Sequence, residues 1–353
     1  KALYLPGPAY HDEHVKATAG WWHILEYQRQ AIEQAGYEVI TPEAPREYID
    51  YTSSFSQIAS YSLYTSQFLD SYIDLVVAAP SFGHHTIFRK GLVTPKVITY
   101  VWNQADYWRD LQLKEEYKKF DAEYRTLPIN NLMNELSLKL SDRVIANSNF
   151  TKKTHAKIVP EGKIKVALWG VDSERFHPGD REGFKILFFG SDPIRKGFAY
   201  LFEALKALVK AGEDDFELWV LGCDPWGGRT PPPQVRVFGL VPNVQVPEII
   251  RQCHVMVLPT LEDGMPLGVQ ECMASGVVPI TTECAAEAFK DRVSGFIAPY
   301  RDPLAIVKYL QLLKGDSVLL NTMSKETRRK AEEQTWKNFR KDFSSAVKMQ
   351  DYP

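Results

Sequence analysis

Hydrophobic positions in the first half of the chain form short continuous runs, separated by longer segments with helical spacing. The runs are predicted to be strands and cover residues 1–5, 37–41, 74–79, 96–102 and 143–146. Between the first two runs, Trp22, Leu25 and Ile32 recur at helical intervals before Gly36, a pattern typical of an amphipathic helix with a glycine stop. Strands without polar alternation, each followed by a helix, indicate a parallel sheet covered on both faces.

The same alternation begins again in the second half of the chain. Further strands are predicted at residues 184–189, 216–221, 235–238, 255–258 and 277–281. A helix is predicted over 199–210, and the chain is helical and charged from Pro303 onward. Structure-breaking residues near 169–178 separate the two halves. We therefore predict an α/β protein with two Rossmann-like, doubly wound parallel sheets, and ligands in such sheets bind beyond the carboxyl ends of the strands.

Composition and charge exclude several classes of protein. The chain has 353 residues, 44% hydrophobic and 24% charged, with a formal net charge of -2. This is typical of a globular protein, and it provides no basic field to attract nucleic acid. No apolar run approaches the roughly 18 residues of a transmembrane helix. The four cysteines lack C-x-x-C spacing, which argues against a zinc site or disulfide framework and favours a reducing compartment.

Residues 263–276, between two predicted strands, combine carboxylates with the start of a helix. Pro266 is a typical first-turn residue and Gly276 a typical helix end. Unpaired N–H groups at a helix start attract phosphate, and Glu271 can accept hydrogen bonds from the hydroxyls of a ribose or sugar. The same pattern is found in ordinary strand–turn–helix units, so a ligand site and a structural turn both stay open on this segment alone.

Three groups of segments, taken in order and spacing, carry a family pattern. They are 141–148 with 170–178, 186–190 with 195–197, and 263–276 with 287 and 295–296. Together they resemble the nucleotide-sugar-dependent retaining glycosyltransferases of GT-B fold, family 4. The resemblance covers about residues 141–345 and is weaker over 1–140. It implies a first domain at 1–170, a second at 171–333 that faces it across a cleft, and a last helix within 334–353 that returns to the first domain through Trp336.

The resemblance implies roles for residues of the second domain. Asp263 and Glu271 occupy the two acidic positions, so Asp263 would orient hydroxyls of the donor sugar and Glu271 would hold the ribose hydroxyls. Lys196 matches the family's lysine, and Arg195 is expected to supply the charge of the arginine that Ser191 replaces. We expect Asp263, Lys196 and Arg195 to be catalytic. The other donor-site candidates are Gly264, Met265, Pro266, Leu267, Gly190, Ser191 and Gly20.

The first domain supplies candidates for the acceptor side. Trp102 and Asn103 stand where family members often have a histidine near the reacting sugar. His84 and His85 follow a strand-like run and are expected at the cleft end of the first sheet. We interpret these histidines as acceptor contacts rather than metal ligands, because the family's fold needs no divalent ion.

The resemblance implies a retaining hexosyltransferase that moves a sugar from a nucleotide diphosphate sugar to an acceptor hydroxyl, without a metal or other cofactor. Uridine is the expected base and guanosine the next. The expected acceptor is a glycan, a sugar or a small molecule, and the expected location is the cytoplasm or the inner membrane surface by peripheral contact. Departures from the family pattern at Ser191, Trp102 and Ala285-Ala286 leave a non-catalytic sugar-nucleotide-binding subunit open.

Two further classes of enzyme remain as alternatives. A sugar phosphorylase or epimerase of the same fold would depend on free phosphate or act without an acceptor. A Rossmann oxidoreductase would bind a nicotinamide cofactor, but the G-x-G-x-x-G fingerprint is absent after the first predicted strand.

Overall fold

The computed structural model describes residues 1–7, 22–45, 48–49, 54–69, 72–89, 95–124, 126 and 128–349. The chain divides into two compact units. The first unit contains Lys1–Trp108, Arg125–Trp169 and Trp336–Pro353, and the second contains Arg109–Tyr124 and Gly170–Thr335. Each unit is built on a six-stranded sheet with flanking helices, which confirms the predicted α/β class with two parallel sheets.

The first sheet consists of strands whose described pairings are all parallel. The strands are β1 (Ala2–Leu5), β2 (Val39–Ile40), β3 (Leu75–Ala78), β4 (Lys96–Val101), β5 (Arg143–Ala146) and β6 (Ile164–Val166). Their order across the sheet is β2-β1-β3-β4-β5-β6. The helices between them are α1 (Trp22–Gln34), α2 (Ser54–Thr65), α3 (His84–Phe88), α4 (Asp106–Lys119), α5 (Pro128–Leu140) and α6 (Asn149–His155).

The second sheet is also parallel in its described pairings. Its strands are β7 (Lys185–Phe189), β8 (Glu217–Leu221), β9 (Val235–Gly239), β10 (Val255–Leu258), β11 (Val278–Thr281) and β12 (Phe296–Ile297). The order across the sheet is β12-β11-β10-β7-β8-β9. The helices are α7 (Phe198–Lys210), α8 (Val246–Arg251), α9 (Leu267–Ala274), α10 (Pro303–Gly315) and α11 (Ser317–Glu333).

The cores of both units lie along their central strands. Every residue of β1, β3 and β10 is buried. A strand exposed on one face would instead alternate buried apolar and exposed polar residues. Since helices cover both faces of each sheet, the continuous apolar runs in the sequence are the expected signature.

The last helix, α12 (Trp336–Lys348), packs against α1 in the first unit. The ring of Trp336 stacks on Tyr27 with 4.5 Å between ring centroids. Phe339 and Phe343 are each 1% exposed. The guanidinium of the buried Arg143 in β5 donates to the carbonyl of Ala346 over 2.7 Å. These contacts join the end of the chain to the first unit.

The helix α4 begins in the first unit and continues into the second. Its Glu116 carboxylate accepts hydrogen bonds from the Tyr200 hydroxyl at 2.5 Å and from Arg301 Nε at 3.0 Å. The next residue, Tyr117, donates its hydroxyl hydrogen to the carboxylate of Asp192. These bonds join residues distant along the chain, so no local sequence pattern marks them.

Gly197 fixes how α7 starts against the loop after β10. Its φ is 73°, and a Cβ atom there would lie 2.1 Å from the carbonyl oxygen of Pro259. We expect Gly197→Ala to lower the free energy of unfolding by about 2–4 kcal/mol, because a positive φ alone costs roughly 1–2 kcal/mol and the backbone must also move. Urea denaturation measures the change. Gly212→Ala is the matched control, since Gly212 has φ 82° with nothing near its Cβ position; an equal loss in both variants would contradict the steric explanation.

Candidate active site

Two loops of the second unit meet at the carboxyl edge of its sheet. β7 and β10 are parallel neighbours, so the loops that follow them leave the sheet at the same edge. The first loop carries Lys196 and the second carries Asp263. The Lys196 ammonium and the Asp263 carboxylate form a hydrogen-bonded ion pair, and each side chain is only 10% exposed. The structure therefore brings together two residues that the sequence analysis assigned to the donor site.

Arg195 is surrounded by carboxylates of the same edge. Its Nη1 lies 3.4 Å from Glu262 Oε2 and 3.6 Å from Asp263 Oδ2, and its Nε lies 3.7 Å from Asp192 Oδ2. Nη1 also donates to the backbone carbonyl of Glu262 over 2.9 Å. Arg195 is predicted to present a charge to phosphate, but in the structure its guanidinium already has carboxylate and carbonyl partners of the protein.

Burial and charge act against each other in this cluster. Burial lowers the pKa of Lys196, and the attraction of Asp263 restores only part of the difference. Burial also opposes the charge of Arg195, but the carboxylates of Asp263 and Glu262 outweigh it and raise the pKa of the guanidinium. The Glu262 side chain is fully buried, and burial raises its pKa despite the nearby Arg195.

Glycines allow the close approach of these elements. A Cβ atom on Gly190, the residue after β7, would lie 2.9 Å from Lys196 Cγ. On Gly268, in the first turn of α9, it would lie 2.8 Å from the ring of Phe189 at the end of β7. Small residues at both positions thus bring the start of α9 and the Lys196 side chain to the end of β7.

The start of α9 presents backbone N–H groups. Pro266 is predicted as a first-turn residue but lies directly before the helix, with φ -65° and extended backbone. It has no N–H, so it can shape the turn but cannot donate a backbone hydrogen bond to a ligand. The Gly264 amide donates to Asp263 Oδ1 over 3.1 Å. The amides for which the described part of the chain holds no acceptor are those of Met265, Leu267 and Gly268. Such amides are suited to an anion.

Glu271 lies one turn further along α9, on the same face as Leu267. Its side chain is half-buried, and no side chain in the described residues forms an ion pair or hydrogen bond with its carboxylate. Burial raises the pKa of Glu271 to about 7, and the positive charge of Arg175 only partly opposes this. A half-buried carboxylate of this kind gains from hydroxyl donors supplied by a ligand.

Two donor-site candidates do not join this cluster. Ser191 is exposed directly after Gly190 and forms no side-chain hydrogen bond within the described residues. Gly20 lies outside the described residues.

The histidines of the first unit have internal partners. His84 Nε2 lies 3.3 Å from Asn134 Oδ1, and its ring stacks on Phe88 at 6.0 Å. The Ser62 hydroxyl oxygen accepts the backbone N–H of His85 at 3.0 Å and lies 3.2 Å from His85 Nδ1. Burial lowers the pKa of both imidazoles, so both rings are neutral at pH 7 and suited to hydrogen bonding with hydroxyl groups.

Trp102 and Asn103 follow β4, next to β3 in the sheet. Trp102 packs edge-on against the buried Trp169, with 5.6 Å between ring centroids, and its carbonyl accepts the Asn147 side-chain N–H at 2.7 Å. Its indole Nε1 is buried without a hydrogen-bond partner among the described residues, whereas Asn103 is exposed. Because His84 and His85 follow β3, all four acceptor-side candidates lie beyond the carboxyl ends of adjacent strands.

Asp192 and Tyr117 were missed by the sequence analysis. The carboxylate of Asp192 accepts the backbone N–H of Arg195 at 3.1 Å and also the hydroxyl of Tyr117. An acidic residue three positions before a candidate phosphate-binding arginine is a local signal that could have found Asp192. No such signal exists for Tyr117, which lies 75 residues away.

Metal-binding groups, disulfides and membrane-spanning helices are absent from the described part of the chain. Its histidine, cysteine and carboxylate side chains form no group of three that could hold a metal ion. The four cysteines are buried and form no disulfide. Within the same ranges, the helices are too short or too polar to cross a membrane.

Comparisons with known proteins extend these observations. Residues 183–316 match the family model described as glycosyl transferases group 1, and no curated protein sequence matches the chain. Sucrose-phosphate synthase from Thermosynechococcus elongatus is similar in structure, with a TM-score of 0.76 and 15% identity over 96% of both chains. WaaG, a glycosyltransferase involved in lipopolysaccharide biosynthesis, has a TM-score of 0.69 and 15% identity over 98% of this chain and 99% of its own. Anabaena Alr3699/HepE, in complex with UDP and glucose, has a TM-score of 0.67 and 12% identity over 99% of both.

The matched segment contains Lys196, Asp263 and Glu271, and the structural similarity covers both sheets. Residues 183–316 therefore form a glycosyl transferases group 1 domain, and the chain is a glycosyltransferase with the GT-B fold.

Proposed function

We propose that this protein transfers a hexosyl group from a nucleotide diphosphate sugar to an acceptor hydroxyl, with retention at the anomeric carbon. The observation that carries the proposal is the meeting of Lys196, Asp263 and the start of α9 at one sheet edge, inside the segment that matches the family. A cation and free amides suit a diphosphate, and carboxylates beside them suit the hydroxyls of a sugar and a ribose.

The diphosphate is stabilised by groups that the protein holds in place. Lys196 and Arg195 supply positive charge, and the amides of Met265, Leu267 and Gly268 supply hydrogen bonds. Such preorganised donors stabilise the negative charge that develops on a departing phosphate. Side chains and backbone amides therefore take the role that a divalent ion could otherwise have.

The two carboxylates bind different parts of the donor. Asp263, beside Lys196, orients hydroxyls of the sugar, and Glu271 accepts the ribose hydroxyls. The acceptor binds beyond the carboxyl ends of β3 and β4 in the first sheet, near Trp102, Asn103 and His84-His85. The buried indole N–H of Trp102 is a donor suited to an acceptor oxygen.

Retention follows in this proposal from attack on the face that the diphosphate leaves. The bond between the anomeric carbon and the phosphate oxygen breaks, and the acceptor oxygen bonds to the same face. The acceptor proton moves to the departing phosphate oxygen. We do not assign Asp263 the role of a covalent nucleophile, because in this proposal its carboxylate accepts hydrogen bonds from the sugar hydroxyls, whereas a retaining double displacement needs a carboxylate placed against the anomeric carbon.

Uridine is the proposed base and guanosine the next. The structure of HepE, a protein of similar fold, was determined with UDP and glucose, which supports uridine. The proposed acceptor is a glycan, a sugar or a small molecule, and the proposed location is the cytoplasm or the inner membrane surface.

A ligand panel tests the proposal. UDP-glucose or GDP-mannose should raise the melting temperature, since a ligand at about 100 times its Kd adds roughly 2.7 kcal/mol of stability. The stabilising donor should then be consumed with an acceptor in the presence of EDTA. Loss of transfer in EDTA would contradict metal independence, and dependence on free phosphate would indicate a phosphorylase. Binding without transfer would indicate a non-catalytic subunit, and no shift with either donor would overturn the donor site.

A further inference from the structure

The Lys196–Asp263 pair blocks the cation on which diphosphate binding depends. The ammonium and the carboxylate are hydrogen-bonded to one another, and both side chains are about nine-tenths buried. A phosphate that approaches Lys196 must therefore compete with a carboxylate that is part of the protein.

The cost of this competition depends on what happens to Asp263. If phosphate takes Lys196 and nothing replaces it, the buried Asp263 carboxylate loses its ammonium partner. The Gly264 amide still donates to Oδ1, but a neutral amide does not replace the lost positive charge, so the exchange is unfavourable. Arg195 does not fully replace the ammonium. Its Nη1 is 3.6 Å from Asp263 Oδ2, and the same nitrogen already donates to the carbonyl of Glu262.

A ligand that carries both a diphosphate and a sugar avoids this cost. Sugar hydroxyls donate hydrogen bonds to the carboxylate while the phosphate oxygens accept those of the ammonium. Each buried group then exchanges one partner for another and keeps its hydrogen bonds. A nucleoside diphosphate without a sugar supplies a partner for Lys196 only.

We propose that Asp263 is a specificity-determining residue that couples recognition of the donor sugar to binding of the diphosphate. This inference rests on the proposed function of the same site. Lys196 is released to the diphosphate when sugar hydroxyls engage Asp263, so the enzyme binds the intact donor in preference to the nucleoside diphosphate. The same coupling favours departure of the nucleoside diphosphate after the sugar has been transferred.

Calorimetric titrations with UDP-glucose and UDP test the coupling, with GDP-mannose and GDP as the probes if the guanosine donor gives the larger thermal shift. We expect the wild-type protein to bind UDP-glucose at least about tenfold more tightly than UDP. In Asp263→Asn, which removes the competing charge, UDP should bind about tenfold more tightly than in the wild type, a change of about 1.4 kcal/mol. The preference for UDP-glucose should disappear.

Asp215→Asn is the matched control. It makes the same chemical change in the same unit, at a carboxylate that is 98% exposed and 4.0 Å from its nearest cation. Both affinities should equal those of the wild type. A second comparison uses Lys196→Met with and without Asp263→Asn. Arg195 also contacts Asp263, so adding Asp263→Asn should still raise UDP affinity there, but by clearly less than the tenfold expected when Lys196 is present. An equal gain in both backgrounds would show that Asp263 does not act through Lys196.

Several results would overturn the coupling. Wild-type protein that binds UDP as tightly as UDP-glucose contradicts it, as does unchanged UDP affinity in a folded Asp263→Asn variant. If either result is found in a protein that still transfers sugar from the donor, the coupling is overturned but the proposed function is not. Absence of binding to UDP-glucose, UDP, GDP-mannose and GDP alike overturns both the coupling and the proposed function.

Discussion

Lys196→Met should lower kcat for sugar transfer about 100- to 1,000-fold, the loss typical of removing one preorganised donor to a developing negative charge. Methionine keeps most of the side-chain volume and removes the ammonium. The departing diphosphate would then depend on Arg195, whose guanidinium is already in contact with Asp192, Glu262 and Asp263. Loss of this donor in the transition state should therefore be seen in kcat at saturating donor.

The same substitution should also lower stability. It leaves the buried Asp263 carboxylate without its ammonium partner, and removing one member of a buried pair costs about 3–5 kcal/mol. The nearby Arg195 should reduce this cost. Rates are therefore measured well below the melting temperature of the variant, with circular dichroism as the check on folding.

Lys206→Met is the matched control for this prediction. Lys206 lies on α7, ten residues after Lys196, where its exposed ammonium is 5.4 Å from the ring of Phe202. Its loss should leave kcat unchanged. A folded Lys196→Met protein with the turnover of the wild type would show that the phosphate site is elsewhere.

Glu271→Gln should stabilise the protein above pH 7 and weaken donor binding. Burial raises the pKa of Glu271 from 4.5 to about 7, so the folded state holds this proton more tightly than the unfolded state. The wild type therefore loses stability as the pH rises from about 4.5 to about 7, by about 3 kcal/mol in total if the whole shift acts on folding. Glutamine has no proton to lose and avoids this cost.

Melting curves at pH 8 and pH 5.5 measure the first half of this prediction. The variant should melt at a higher temperature than the wild type at pH 8, and the gap should narrow at pH 5.5, where the wild-type carboxyl is mostly neutral. Donor affinity at pH 8 should fall because the amide carries only one acceptor oxygen where two ribose hydroxyls bind.

Glu248→Gln, on α8, is the control. That carboxylate is 62% exposed and pairs with Arg251 at 3.0 Å, so its removal should not stabilise the protein. Equal melting temperatures of wild type and Glu271→Gln at pH 8 would show that burying the ionised Glu271 carboxylate does not destabilise the protein. Unchanged donor affinity would remove Glu271 from the ribose site.

The strands were predictable because their apolar runs are local and uninterrupted. The run 143–146 appears unchanged as β5, whereas 37–41 shortens to Val39–Ile40 because only two of its residues pair with β1. The elements α3, β6 and β12 were not predicted, and the long helices α4 and α5 had no predicted range either. The missed elements α3, β6 and β12 are two to five residues long, and such short segments are held by the neighbours they pack against rather than by their own pattern.

The parts of the candidate site within one segment were also predictable. Residues 263–276 contain the start of α9, the Asp263 carboxylate and Glu271 in a single run. Helical spacing places Glu271 on the same face as Leu267, and Asp263 lies only four residues before the helix, so their proximity follows from the segment itself.

The chain's own pattern of residues determines its α/β class, its two parallel sheets, and the residue types at the carboxyl edge of the second sheet. Only the folded structure decides which charges meet there. Lys196 and Asp263 are 67 residues apart and come together because β7 and β10 are neighbours in the sheet. Charge interactions depend on distance and burial, so the pairing of both cations with carboxylates, and the unpaired state of Glu271 among the described residues, are properties of the assembled edge.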